Sequence, residues 1–488
     1  MTALHWGTGS RSAAGKLSVI IRMGIFFDGT GNNRVNSQIG ADCQAMLEVY
    51  NGAHIKECGG RHSDPSSSYS NDFTNIARLA DLYRHQPRAS NEGGGLRLYQ
   101  AFYISGIGTT SGGRDSRLSG QGFGRGNTGV VAKVSSAIKK VYAFLQTFEL
   151  HNPGCVIAGL ELDLFGFSRG AAAARHLANE VLKQSRGALG PILDPRKLPL
   201  AVDFSWARGS VQLKVIGLFD TVAAVGGLAD LGNVRDAANA RVNLFLPPGC
   251  AQQVLHLVAA DEHRRNFALN SILPGWPKEI VLPGSHSDIG GGYQPQSIET
   301  VSLTRPRRSL VSVNTPFDTT DAWLQTHAEM SELDAQRWID PTDDTSSISV
   351  ECHERLGQGK HGMKTVVASV KLQRRVFGHL SRVYLRVMHG LACDEGVPFL
   401  PIPDVADLSL PPELRGVADK LMKYARGQGD SLTIEERAML YQRYIHCSAH
   451  WNATLGRRGA LVDTLFVHAP EMHGRQRFPN VSQRGYPM

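Results

Sequence analysis

Apolar residues fall along this chain in two alternating textures. Short, nearly unbroken apolar runs end at glycine-rich turns, and longer stretches repeat with helical spacing. Leu17–Phe27 (LSVIIRMGIFF) reads as a buried strand that stops at the turn Asp28-Gly29-Thr30-Gly31-Asn32-Asn33. Thr74 stands where it would cap a helix over Asn75–Tyr83. Leu98–Ile104 reads as a strand, Gly106–Gly129 as a glycine-rich loop and Val130–Phe148 as a helix. Cys155–Phe167 contains a strand, Ala171–Leu182 a helix and Leu213–Phe219 a further strand, with Val254–Ala259 and Glu279–Leu282 as shorter strand candidates. Strands apolar on both faces, interleaved with helices, predict a mostly parallel α/β sheet covered on both sides.

The remaining segments carry weaker patterns. Residues 1–16 are small and polar and read as a loose arm, and residues 34–73 read as loop. After residue 300 the texture changes. Val301–Ser346 is polar and reads as loop or an inserted segment, while Leu372–Leu391 and Pro412–Tyr444 have helical spacing. These shifts predict an α/β unit over residues 17–300 and a more helical C-terminal part over 301–488, which would act as a lid or a membrane-docking region.

Composition narrows the class. Of the 488 residues, 42% are hydrophobic and 20% charged, which supplies a large core and excludes a wholly disordered chain. The net charge of +8 is modest for this length, and the basic residues are scattered with no nucleic-acid reading motif. The short clusters Arg305-Pro306-Arg307-Arg308 and Arg374-Arg375 read as solvated surface, or as a contact for phospholipid headgroups. Seven cysteines stand far apart with no C-x-x-C, which argues against a disulfide framework or a zinc ribbon and for a reducing compartment of synthesis. The N-terminal stretch predicts no signal peptide, since its apolar run is interrupted by Arg22, and no apolar run reaches membrane-spanning length.

The strongest chemical signal is Gly166-Phe167-Ser168-Arg169-Gly170, a G-x-S-x-G set between an apolar strand and an Ala-rich helix. That context predicts an α/β-hydrolase-like turn that lifts Ser168 above the sheet edge as a nucleophile, with the positive end of the helix behind it. The alternative is a structural strand–helix turn. A free serine hydroxyl needs a base, and this fold delivers its partners in the order Ser, Asp or Glu, His. Asp220 ends an apolar strand and is the candidate acid, its other reading being an N-cap. His286, within Gly284-Ser285-His286-Ser287-Asp288, is the candidate base, with His389 as its main rival and a surface-loop histidine as the plain alternative. Asp288 is a secondary candidate, either orienting His286 or holding a cation. The oxyanion would be met by the Arg169 amide and by the Gly29 or Thr30 amide of the early turn, unless that turn is an ordinary one. This chemistry requires no metal and no cofactor. Phe27-Asp28-Gly29-Thr30 lacks the aspartate of aspartyl-phosphate phosphatases, where Phe26 stands instead, and Gly106–Gly129 lacks the G-K-[ST] of a P-loop. His446 and His450, spaced for one helix face, read as packing or hydrogen-bonding residues rather than metal ligands.

Several fragments, in order, give a more specific signal. FFDGTGNN (Phe26–Asn33), TNIARL (Thr74–Leu79), YISGIGT (Tyr103–Thr109), LFGFSRGAAAAR (Leu164–Arg175), GLFDTV (Gly217–Val222), HLVAADEHRRNF (His256–Phe267) and LPGSHSDIGGGY (Leu282–Tyr293) together resemble the lipase effectors of bacterial type VI secretion. LRVMHGLACDEGVPF and YIHCSAHWN resemble the C-terminal part of some members. The resemblance implies a serine phospholipase of A1 or A2 type that hydrolyses acyl esters of membrane phospholipid as an antibacterial effector. Ser168 and Asp220 fall in matching motifs, and His286 is carried over as the base. It also implies synthesis in the cytoplasm, delivery by the type VI system into the target cell's periplasm, a secretion spike partner and a cognate immunity protein. A long hydrophobic C-terminal extension found in some members has no counterpart here. The competing readings are a soluble carboxylesterase and an interaction module on the same fold that has lost its chemistry.

Overall fold

The β-branched and aromatic run of β1 (Leu17–Phe27) is buried over almost its whole length, as a strand at the middle of a covered sheet must be. The computed structural model describes residues 15–49, 68–109, 111, 129–223, 242–333, 335–356, 362–429, 432–452 and 468–482. The N-terminal arm and most of the loop Gly106–Gly129 lie outside them. β1 pairs in parallel with β3 (Gly95–Ile104) on one side and β4 (Cys155–Phe167) on the other. β5 (Val211–Phe219), β6 (Gln253–Ala259) and β8 (Glu279–Leu282) continue the parallel sheet. At the opposite edge, β2 (Gln86–Glu92) turns back onto β3 through Gly93 and Gly94, both at positive φ, as a two-residue hairpin requires. The seven-stranded order is β2-β3-β1-β4-β5-β6-β8.

Alternate residues of β4 feed two cores. Leu162 and Leu164 pack with helices Val130–Gln146 and Arg169–Leu182 on one face, while Phe165 and Phe167 join helices Asn75–Leu82 and Leu380–Asp394 on the other. The last of these comes from the C-terminal part, yet it covers the main sheet through buried Leu380, Val383, Tyr384, Val387, Met388 and Leu391. Tyr384 also donates to the Pro283 carbonyl, tying this helix to the loop that carries His286.

A second, antiparallel sheet departs from the sequence expectation. β9 (Ser297–Ser302) and β10 (Arg307–Ser312) lie along one edge of β12 (Met363–Val376), and β11 (Ser347–Leu356) lies along its other edge. Part of Val301–Ser346, read as loop, is therefore strand, and helix Asp321–Glu332 packs on this sheet. Leu372–Val376, read as the start of a helix, is the end of β12. The chain breaks at Phe377-Gly378-His379, where a side chain at Gly378 would lie 2.5 Å from the Gln294 carbonyl oxygen. Arg34–Val49, read as loop, is helical. Its apolar pattern is interrupted by Gly40, which is needed because a Cβ there would meet the Tyr69 carbonyl at 1.8 Å. A short parallel pairing joins β7 (Leu269–Asn270) to β13 (Arg477–Phe478) as a separate two-stranded sheet.

The cysteines also depart from expectation in one respect. Cys43 is disulfide-bonded, whereas Cys155, Cys250, Cys352, Cys393 and Cys447 are free. Wide spacing along the chain does not report distance in the fold. Among the described residues, no helix is long and apolar enough to cross a membrane.

Candidate active site

The site forms where β1, β4, β5 and the segment after β8 end on the same edge of the sheet. β4 runs into helix Arg169–Leu182 with Ser168 between them, at φ 58° and ψ −124°. A non-glycine residue in that region stores strain of about 1–3 kcal/mol, and surrounding structure must hold it there. The glycines on either side provide that room. A Cβ at Gly166 would lie 2.4 Å from the Gly170 carbonyl, and one at Gly170 would lie 2.2 Å from the Phe27 carbonyl. Ser168 donates its N–H to Phe219 O and accepts Val222 N–H at its carbonyl, so the elbow is laced to the end of β5. Its side chain makes no cap bond to the helix that follows, which leaves the hydroxyl uncommitted by the fold.

Gly170→Ala follows as an expected result. The clash is with backbone at Phe27 and Asp28, which cannot swing aside, so stability should fall by about 1–3 kcal/mol. Thermal melts against the parent protein measure this, and a melt unchanged from the parent would contradict the close approach.

Asp220 sits immediately after β5, also at positive φ (40°), with its carboxylate fully buried. Its Oδ2 accepts His286 Nδ1–H at 2.5 Å. Oδ1 accepts the Ala259 N–H at 3.1 Å, and Arg475 grips both oxygens at 2.7 and 2.8 Å. Burial alone would push this carboxyl up, but the Arg475 guanidinium and the His286 ring outweigh it and hold it far below the usual range. The next residue is pinned as well. Thr221 N–H donates to His256 Nε2, while His256 Nδ1 faces Glu279 Oε2 at 3.1 Å.

His286 opens the short helix His286–Gly290, capped by a reciprocal Ser285–Asp288 box. Its ring lies between Phe167 and Phe267, at centroid distances of 4.6 and 4.9 Å. Burial lowers its pKa and Arg264 lowers it further, against the raising effects of Asp220 and Glu262. Glu262 receives the His286 backbone N–H and is paired to Arg264, whose charge overcomes burial and holds the carboxyl at about 2. With Nδ1 on Asp220, the imidazole presents its Nε2 side as the edge able to exchange a proton.

The early turn is fixed by Asp28. Its buried carboxylate accepts Gly29 N–H at 2.7 Å, Thr74 Oγ1–H at 2.7 Å and Tyr103 O–H at 2.5 Å, and burial pushes it up to about 6. The Gly29 amide is thereby spent on its own neighbour. Gly31 and Asn32 donate to Ile107 O and Gly29 O. The hydroxyl of Thr30 is buried with no partner among the described residues.

The other sequence candidates fall elsewhere. His389 donates Nε2–H to the Leu400 carbonyl and stacks on Phe399, apart from Asp220. Asp288 bonds Ser285 and His446, not His286. His446 and His450 share no helix: His446 faces Asp288 at 2.7 Å, and His450 lies beside His468. Arg374, read as surface, is buried on Glu299 and on the Tyr441 and Ile445 carbonyls, and Arg307 is paired with Glu329. Sequence reasoning assigned no role to Arg475, Glu262 or Arg264. Glu262 and Arg264 stand in the HLVAADEHRRNF fragment, but no local pattern marks Arg475.

Comparison with known proteins finds a matching family model and similar solved structures. The family model described as "T6SS, Phospholipase effector Tle1-like, catalytic domain" matches residues 22–185 and 202–310. A solved structure of the Tle1 effector bound to the VgrG spike of the type VI secretion system is 30% identical, covering 95% of this chain and 94% of its own, with a TM-score of 0.71. An uncharacterized protein from Pseudomonas aeruginosa is 18% identical over 88% of this chain and 53% of its own, at a TM-score of 0.37, too slight a likeness to argue from. No curated protein matches.

Proposed function

The chain belongs to the Tle1-like phospholipase effectors of type VI secretion, and on that footing we propose that it is a serine hydrolase of phospholipase A type, with Ser168 as nucleophile, His286 as base and Asp220 as acid. The observation that carries this reading is the 2.5 Å bond from His286 Nδ1 to Asp220, made at the edge of the sheet where the strained Ser168 elbow stands. His286 takes the Ser168 proton as Oγ attacks the acyl carbonyl, and Asp220 fixes the imidazole tautomer and balances the imidazolium. The Arg169 amide opens the helix and faces the developing oxyanion from its positive end. Because the Gly29 amide is bound to Asp28, the Thr30 amide is the second donor of our reading. The imidazolium then returns its proton to the leaving lysophospholipid, and water, deprotonated by His286, cleaves the acyl-enzyme.

The relative's complex with a VgrG spike supports a spike partner for this chain too. On this reading the protein is made in the cytoplasm, carried into a rival's periplasm and neutralised in the producer by an immunity protein. The α/β unit over 17–300 would carry the chemistry and residues 301–488 would guard or dock it.

Vesicles of phosphatidylglycerol and phosphatidylethanolamine with different acyl chains at the two positions test this directly. Release of one chain plus lysophospholipid by the parent, and none by Ser168→Ala, is expected, and the released chain assigns A1 or A2. Turnover of soluble esters with no attack on any vesicle would favour a carboxylesterase instead.

A further inference from the structure

The segment 469–480 returns from the C-terminal part and runs along the stretch between β6 and β8. Arg265 N–H donates to Ala469 O and Glu471 N–H to His263 O. Leu269 and Ser271 donate to Gln476 O and Phe478 O, and Asn480 N–H donates to Leu273 O. The Asn480 side chain then locks to Leu246 and to buried Arg175. Ordinary strand addition would explain these bonds. It does not explain Arg475, which leaves the strap, donates Nε to Phe267 O at 2.8 Å and buries its guanidinium on Asp220. Its side chain is only 9% exposed and the carboxylate is not exposed at all.

We infer that Arg475 is a positioning residue of the hydrolytic site: the C-terminal strap supplies the fork that aims Asp220 at His286 and neutralises its charge. The inference rests on the triad reading above. A planar fork fits a carboxylate edge to edge, so Arg475 fixes the plane of Asp220 and with it the direction in which Oδ2 meets Nδ1. Its charge has a second effect. Glu262 beside His286 is already offset by Arg264, and Asp288 is turned to His446, so Asp220 is the anion that most directly stabilises the imidazolium. With Arg475 on the same carboxylate, that stabilisation is reduced and the ring stays neutral, and so competent as a base, to lower pH.

The sign follows. Hydrolysis needs neutral His286. Removing Arg475 strengthens the pull of Asp220 on the imidazolium, so the acid limb of the rate profile moves to higher pH. The test is kcat and kcat/KM for p-nitrophenyl butyrate from pH 4.5 to 9 in the full chain, comparing parent, Arg475→Met, Arg475→Lys and Ser168→Ala, with circular dichroism for folding. Arg475→Met should lose roughly 10- to 100-fold in kcat through misaimed Asp220, with the acid limb raised by about 0.5–1 pH unit. Arg475→Lys keeps the charge but not the fork, so its limb should stay with the parent while kcat falls. A folded Arg475→Met with parental kcat and parental limb overturns the inference. So does one with reduced kcat and an unmoved limb, which is what simple loosening gives. Should Arg475→Met not fold, Arg475→Gln, neutral but still a hydrogen-bond donor, takes its place: reduced kcat with a raised limb supports the inference, and parental kcat or an unmoved limb overturns it. The reading of the triad fails separately, if Ser168→Ala turns over like the parent.

Discussion

Ser168→Ala is expected to lower turnover by about 10⁵-fold or more, because a triad without its nucleophile retains only the effects of binding and the oxyanion donors. The same change should leave the fold nearly untouched. The Ser168 hydroxyl caps nothing, and the bonds that hold the elbow are made by its backbone N–H and carbonyl. Steady-state hydrolysis of a soluble ester and a thermal melt on the same preparation separate the two effects. A large loss of activity with a parental melt is the expected pair of results. Residual turnover within about 10-fold of the parent would remove Ser168 from the chemistry.

Asp220→Asn is expected to do two kinds of damage. The amide cannot balance an imidazolium and can present its NH₂ to Nδ1, which selects the wrong tautomer, so kcat should fall by roughly 10³–10⁴. It also leaves the Arg475 guanidinium buried with no anion, which should destabilise the fold by roughly 3 kcal/mol. The two effects are separable, because they travel by different partners. Pairing the change with Arg475→Met removes the stranded cation, so the double variant should melt closer to the parent while staying as inactive as Asp220→Asn alone. A double variant less stable than either single variant would mean that the pair is not coupled as its geometry indicates.

The parallel sheet is largely legible in the sequence, because burial on both faces writes each strand as one apolar run. Leu17–Phe27 and Cys155–Phe167 match β1 and β4, and the ends of β5, β6 and β8 fall where the runs stop. The antiparallel sheet is not. SIETVS and RRSLVS mostly alternate half-buried and exposed positions within short polar stretches, and the signal is too thin to separate them from loop. Leu372, Val376 and Leu380 fall four apart, so a helical spacing begins inside β12 and runs on unbroken into the helix at Leu380. Helix Arg34–Val49 was hidden by Gly40, whose missing side chain serves a contact with Tyr69 that only the fold reveals.

The site divides in the same way. Ser168, Asp220 and His286 each sit in a local pattern with a mechanical reason, a strand end or a tight turn, and the structure joins Asp220 to His286 directly. The sequence offered the Gly29 or the Thr30 amide as second oxyanion donor, and the bond from Gly29 to Asp28 is why our proposal takes Thr30. Arg475 lies 255 residues from Asp220 along the chain and belongs to no motif. Chemistry carried by side-chain pairs so remote appears only when the backbone is folded; Glu262 and Arg264 are near neighbours in sequence, but their place beside His286 likewise appears only in the fold.

The most direct test of the whole account is covalent. A fluorophosphonate reacts with a serine only where a neighbouring base activates it, and peptide mass spectrometry locates the adduct. The account predicts one adduct, on the peptide containing Ser168, formed quickly in the parent and slowed by at least about 10²-fold in His286→Ala. Modification of a different serine, or labelling of Ser168 at the parental rate when His286 is gone, would contradict it.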